Sequence, residues 1–178
     1  MIAKVSVYCS LVFLLLMAVY DSAGSVQYVP AIKPVGTAAE ITISTGDAYG
    51  GAVERHRATV TVLEVLRGEK AWTRIHKASP SNPQPPTDSE YVLASVRFEF
   101  EPGKLSGNNS YLLRESKFTA YSRDGRAYDP VSIVCPKPNF NGKVYSGESL
   151  TGWIAFLVAR NDKKPTVSFN NALRFQLY

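Results

Sequence analysis

The chain has 178 residues, 45% of them apolar, and a formal charge of +5 at pH 7. That length suits one ordinary domain with a core of its own, and the apolar share is that of a folded protein rather than a disordered one. Positive charges are scattered with no block of five like charges and no interleaving with aromatics, so nucleic acid is excluded as a partner.

Residues 1–24 read as a secretory signal peptide. Lys4 supplies the positive start, residues 5–20 are an almost unbroken apolar run, and Ser22-Ala23-Gly24 offers a cleavage site after Gly24. Retention of this run as an anchor is the alternative; after cleavage no membrane span remains, and the protein is expected outside the cell or on its surface. Cys9 lies inside the apolar run, too early to be a lipid-bearing cysteine. Removing Lys4 and Asp21 leaves the charge unchanged. Cys135 is then the only cysteine left, so no internal disulfide forms and the fold rests on its core. A buried thiol is one reading of Cys135, and a dimer through an intermolecular disulfide is the other.

Residues 25–36 carry Pro30 and Pro34 without periodicity and read as an extended leader. The domain proper is expected over 37–178. Residues 39–44 form a first strand, followed by a glycine-containing loop with Asp47 and Tyr49. Residues 57–66 alternate and are rich in β-branched side chains, which predicts a second strand. The period then changes. Ala71, Trp72, Ile75 and Ala78 fall at helical spacing, with Glu69 early and Lys77 late as the helix dipole favours, so a short helix is predicted over about 69–78. Four prolines within 79–89 make a stiff connection.

Residues 90–101 predict a long strand with Val92, Ala94, Val96, Phe98 and Phe100 on one face. Asn108-Asn109-Ser110 is an acceptor pattern for glycosylation. Residues 111–122 are the next strand region. Asp124-Gly125 signals a hairpin in which both positions take positive φ. The returning arm is read as 127–135, with Pro130 placing it at an edge or bend. Residues 147–159 (GESLTGWIAFLVA) are apolar on both faces from Trp153 to Val158, which predicts a covered strand in mid-sheet. Gly152 inside it marks a bulge or a close approach by a neighbour. After a polar turn at 160–165, residues 166–169 read as the second arm of a hairpin. Leu173, Phe175 and Leu177 share one face of a last strand. The sum is all-β: an immunoglobulin-like sandwich of seven to nine strands with one short helix.

The start at Gly36-Thr37, Ala71-Trp72 on the helix, the run Glu90-Tyr91-Val92-Leu93-Ala94, Asp124-Gly125 with Tyr128, and above all G-x-x-x-x-G-W-x-x-F from Gly147 to Phe156 resemble a bacterial exported family, domain of unknown function 4352. The resemblance implies an immunoglobulin-like sandwich, similar in fold to the secreted immunoprotective antigen of mycobacteria, and an exported location. It implies no activity and no catalytic residues.

Chemistry-bearing patterns are sparse. His56 and His76 are the only imidazoles and form no spaced pair, so neither zinc nor any other cofactor is expected. No serine sits in a nucleophile elbow and no glycine loop opens a helix for phosphate. The expected function is therefore a non-catalytic binding domain for a protein or an envelope polymer. The loops to watch are 47–51, 79–88 and 139–142, and the candidate binding residues are Trp72, His76 and Tyr49. A carbohydrate-binding module needs aromatic side chains exposed in a row. A secreted hydrolase needs His56 or His76 in a cleft beside a carboxylate.

Overall fold

The computed structural model describes residues 30–45, 53–102 and 110–178. The signal segment, Tyr49 with its loop at 47–51, and Asn108 lie outside the described residues. In chain order the first strands are β1 (Ile32–Lys33), β2 (Ala38–Thr45) and β3 (Glu54–Arg67), then helix α1 (Glu69–Ala78) and β4 (Ser89–Phe100). There follow β5 (Ser110–Leu113), β6 (Phe118–Tyr121), β7 (Gly142–Tyr145), β8 (Ser149–Ala159), β9 (Thr166–Phe169) and β10 (Leu173–Gln176).

The molecule is an all-β sandwich. One sheet has the order β2-β3-β4-β8, the other β1-β10-β9-β6, and β5-β7 forms a two-stranded ribbon. Period 2 in β4 aims Val92, Ala94, Val96, Phe98 and Phe100 into the space between the sheets, where all are buried. Ile154, Phe156 and Val158 of β8 join them from the same sheet, and Val167, Phe169 and Phe175 close the core from the other. Each fully buried Phe or Val there contributes about 1.5–3 kcal/mol over exposure.

The opposite face of β4 and β8 carries a second, smaller core. Tyr91, Leu93 and Trp153 meet Ala71 and Ile75, the buried stripe of α1. The helix has the predicted bounds, and Ser79-Pro80 stops it because the residue before a proline avoids helical backbone. Ser79 is accordingly extended.

Several expectations are corrected. The described residues hold ten strands rather than seven to nine. One extra is β1, at the end of the leader, which pairs parallel to β10. Another arises because 111–122 divides at a 3-10 turn, Glu115–Lys117, and sends β5 and β6 to different sheets. The arm at 127–135 is not a strand: Ala127 makes a single bridge to Tyr121 and the rest has no ladder. In the hairpin turn Gly125 alone takes positive φ, at 80°, and the Ser122 hydroxyl receives the Arg126 N–H to hold the loop.

β8 is at the edge of its sheet, not in the middle. Its apolar outer edge is covered by a loop instead of a strand: the Trp153 N–H donates to the Pro138 carbonyl at 2.8 Å and the Phe140 N–H to the Trp153 carbonyl at 3.3 Å. Gly152 permits this. A Cβ there would lie 2.5–2.6 Å from backbone atoms of Asn139 and Phe140, so the close approach read from the glycine is real, while the sheet's bulge sits on β3 between Val62 and Glu64. Finally, β8 and β9 are not a hairpin. β9 lies in the other sheet between β10 and β6, and residues 160–165 carry the chain across.

Candidate functional site

The fold brings two of the three sequence-predicted site residues together. Trp72 and His76, one helical turn apart on α1, have ring centroids 5.1 Å apart, and Trp72 stacks on Tyr91 at 6.0 Å with planes 16° apart. Trp72 is half-buried and Tyr91 buried, so Trp72 wedges the helix onto β4, while His76 stands exposed. Trp153 is also buried, with the Arg74 guanidinium 4.2 Å above its ring. These aromatics form a packed stack rather than the exposed row a sugar would need.

His56 does lie beside a carboxylate. Its Nε2 is 2.9 Å from Thr45 Oγ1 and 3.5 Å from Glu54 Oε2, and the ring stands edge-on to Phe100 at 5.2 Å. Both partners share one ring nitrogen. A nucleophile–base–orienter relay instead needs the hydroxyl and the carboxylate on opposite nitrogens. Among the described residues no cluster of three His, Cys, Asp or Glu side chains is placed to hold a metal.

Cys135 is buried, and its thiol is pushed up to about 12, first by burial and then by the charge and hydrogen bond of Glu115. A thiol so placed offers no accessible thiolate to begin an intermolecular disulfide.

One polar concavity among the described residues was not read from the sequence. It is a cavity of about 630 Å³ between the hairpin turn at 122–128 and the crossover at 159–164. Arg123, Arg126, Lys163 and Lys164 line it, together with Asp124 and Asp162. Asp162 is spent on the architecture. Its Oδ2 accepts from the Tyr128 hydroxyl at 2.8 Å and the Arg123 N–H at 3.2 Å, and its Oδ1 from the Lys164 N–H at 3.0 Å. Lys163 Nζ donates to the Arg160 carbonyl at 3.1 Å. None of the four cationic heads belongs to a salt bridge among the described residues. The cavity therefore presents excess positive charge, four cations against the carboxylates of Asp124 and Asp162. Sequence reading missed it because the two pairs of cations lie some forty positions apart; adjacency of each pair to a polar turn was the sole local signal.

The chain belongs to the family described as a domain of unknown function (DUF4352), whose sequence profile matches residues 48–176. This is the family that the Gly147–Phe156 run resembles. No curated protein matches the chain. Among solved structures it is similar to the yjhA protein of Bacillus subtilis, with 18% identity over 79% of this chain and 82% of that one and a TM-score of 0.47. It is also similar to a conserved hypothetical protein of Bacillus anthracis, with 14% identity over 78% of this chain and 97% of that one and a TM-score of 0.41.

Proposed function

We propose that this chain is an exported, non-catalytic binding domain that holds an anionic polymer of the cell envelope between the 122–128 turn and the 159–164 crossover. The observation that carries this reading is the cavity lined by Arg123, Arg126, Lys163 and Lys164, whose charges are not neutralised by ion pairs within the described residues. Arginine guanidinium forks and lysine point charges suit phosphate or carboxylate groups repeated along a chain. A rigid sandwich presenting such groups on turns fits a binding role, since turns carry recognition while sheets carry stability.

Titration of the full-length protein with a linear polyphosphate at low and high salt tests this. The double reversal Lys163→Glu/Lys164→Glu should weaken binding about tenfold or more, because like charges placed against a polyanion are repelled. Lys70→Glu/Lys77→Glu on α1 changes the net charge equally but lies away from the cavity, and should leave binding close to its starting value. Equal losses from the two variants would mean that net charge alone attracts the polymer, and the site would be refuted.

A further inference from the structure

A second cavity, of about 310 Å³, opens where the two sheets come apart between the edges of β6 and β8. Phe118 and Ala120 wall it from one sheet, Ile154 and Phe156 from the other, and Pro130 and Val131 complete the apolar lining. Its lining from Asp129 to Val131 pairs into neither sheet, and Val131 and Ile133 go on to pack on the smaller core beside α1. Its volume falls at the small end of the range for sites that enclose a small organic molecule.

The charge at the mouth is of one sign. Glu115 and Asp129 line the cavity and no Lys, Arg or His does. Glu115 stands beside the neutral Cys135 thiol, and no salt bridge among the described residues pairs it with a cation. An apolar slot with carboxylates at its rim matches a molecule with a hydrocarbon body and a positive head.

We propose that this slot is a binding site for a small primary ammonium compound, with its alkyl or aromatic body between Phe118 and Phe156 and its ammonium group against Glu115 and Asp129. The site is separate from the cationic cavity and selects the opposite charge, although Tyr128 contributes to the walls of both. A carboxylate of equal length would meet two like charges at the rim, and an alcohol would gain the apolar contacts without the ion pair.

The test follows methyl resonances of Ala120 and Ile154 in the full-length protein during titration with n-hexylamine, n-hexanol and hexanoate. Hexylammonium should move both methyls and saturate, hexanol should bind about tenfold more weakly, and hexanoate should not bind, since a charge-assisted hydrogen bond is worth at least that factor. Glu115→Gln should weaken hexylammonium by a similar factor. Asp129→Asn, at an exposed position, gives a second reading in a variant that leaves the core untouched. The proposal is overturned if neither methyl responds to the amine, if hexanoate binds as well as the amine, or if both substitutions leave amine affinity unchanged.

Discussion

At the scale of single residues, two positions carry consequences out of proportion to their size. Gly152 lets the 138–140 loop lie flat on the edge of β8. Any Cβ there meets main-chain atoms of Asn139 and Phe140 at 2.5–2.6 Å, and backbone cannot swing aside as a flexible side chain can. Gly152→Ala should therefore cost about 2–3 kcal/mol, in the range of overpacked cores, and speed amide exchange at Trp153 and Phe140 as their bonds open. A urea unfolding midpoint unchanged from wild type would show that the loop yields at no cost. Cys135 is the other. Burial pushes its thiol up to about 12 from an ordinary value of 9.0, with Glu115 adding to the rise and the Ala155 backbone opposing it. The folded state thus holds this proton more tightly than the unfolded chain. Cys135 contributes no pH dependence below about pH 9, and from there towards pH 12 it makes stability fall as pH rises. Tyr91 and Tyr128 are also raised by burial and act in the same direction. The contribution of Cys135 is therefore read as the difference between wild type and Cys135→Ser, which should narrow or reverse in favour of serine between pH 8 and about pH 10.5. Iodoacetamide should alkylate the native thiol far more slowly than the denatured one at pH 8, and equal rates would contradict the burial.

At the scale of elements, what was legible in the sequence was local and what was not was pairing. The helix at 69–78 announced itself by a change of period, and β4 by five alternating apolar positions, because each pattern is written within one segment. The edge placement of β8 and the transfer of β9 to the other sheet depend on which strand each meets, and Thr166, Val167, Ser168 and Phe169 are all buried through contacts made elsewhere in the chain. The candidate site was illegible for the same reason: Trp72 and His76 are neighbours in sequence and were found, whereas Arg123 and Lys164 become neighbours only when the crossover folds over the hairpin turn. Residues 131–135 show the point most clearly. They look like a strand, yet Val134 finds its partner in a side chain: Asn82 Oδ1 accepts the Val134 N–H at 2.8 Å, while its Nδ2 donates to the carbonyls of Val134 and Ile75, each at 2.9 Å. Asn82 is buried and stands in for the missing strand. Asn82→Ala leaves the Val134 N–H and carbonyl short of a partner, while the Ile75 carbonyl keeps the Ser79 N–H, and should cost about 2 kcal/mol, with faster hydrogen exchange at Val134 and unchanged exchange in β4. Protection at Val134 that survives the substitution would show that this segment is held by apolar contact alone.

At the scale of the whole molecule, one guanidinium ties the first sheet to the crossover that leads to the second. Arg67, the last residue of β3, donates from Nε to Glu90 Oε1 at 3.1 Å and from Nη2 to the Asp162 carbonyl at 2.8 Å. The Asp162 side chain continues the link to Tyr128 and to the Arg123 backbone, in the hairpin turn that follows β6. The chain of contacts thus runs from the first sheet, through the crossover, to the rim of the cationic cavity. Arg67 and Glu90 are only 21% and 15% exposed at their side chains, so water screens the pair poorly. Arg67→Ala strands the Glu90 carboxylate and should cost about 3 kcal/mol, most of it the penalty for a charge left partly buried without a partner. If the link also positions the cavity's rim, the same variant should weaken polyphosphate binding although Arg67 does not line the cavity. Adding Glu90→Gln separates the two effects: it removes the stranded charge, so the double variant should recover much of the lost stability, but it restores nothing at the Asp162 carbonyl, so binding should stay weak. Chemical unfolding and polyphosphate titration of the two variants read these quantities independently. Recovery of binding in step with stability would show that the rim needs only a well-folded scaffold and that the Arg67–Asp162 contact carries no positioning role.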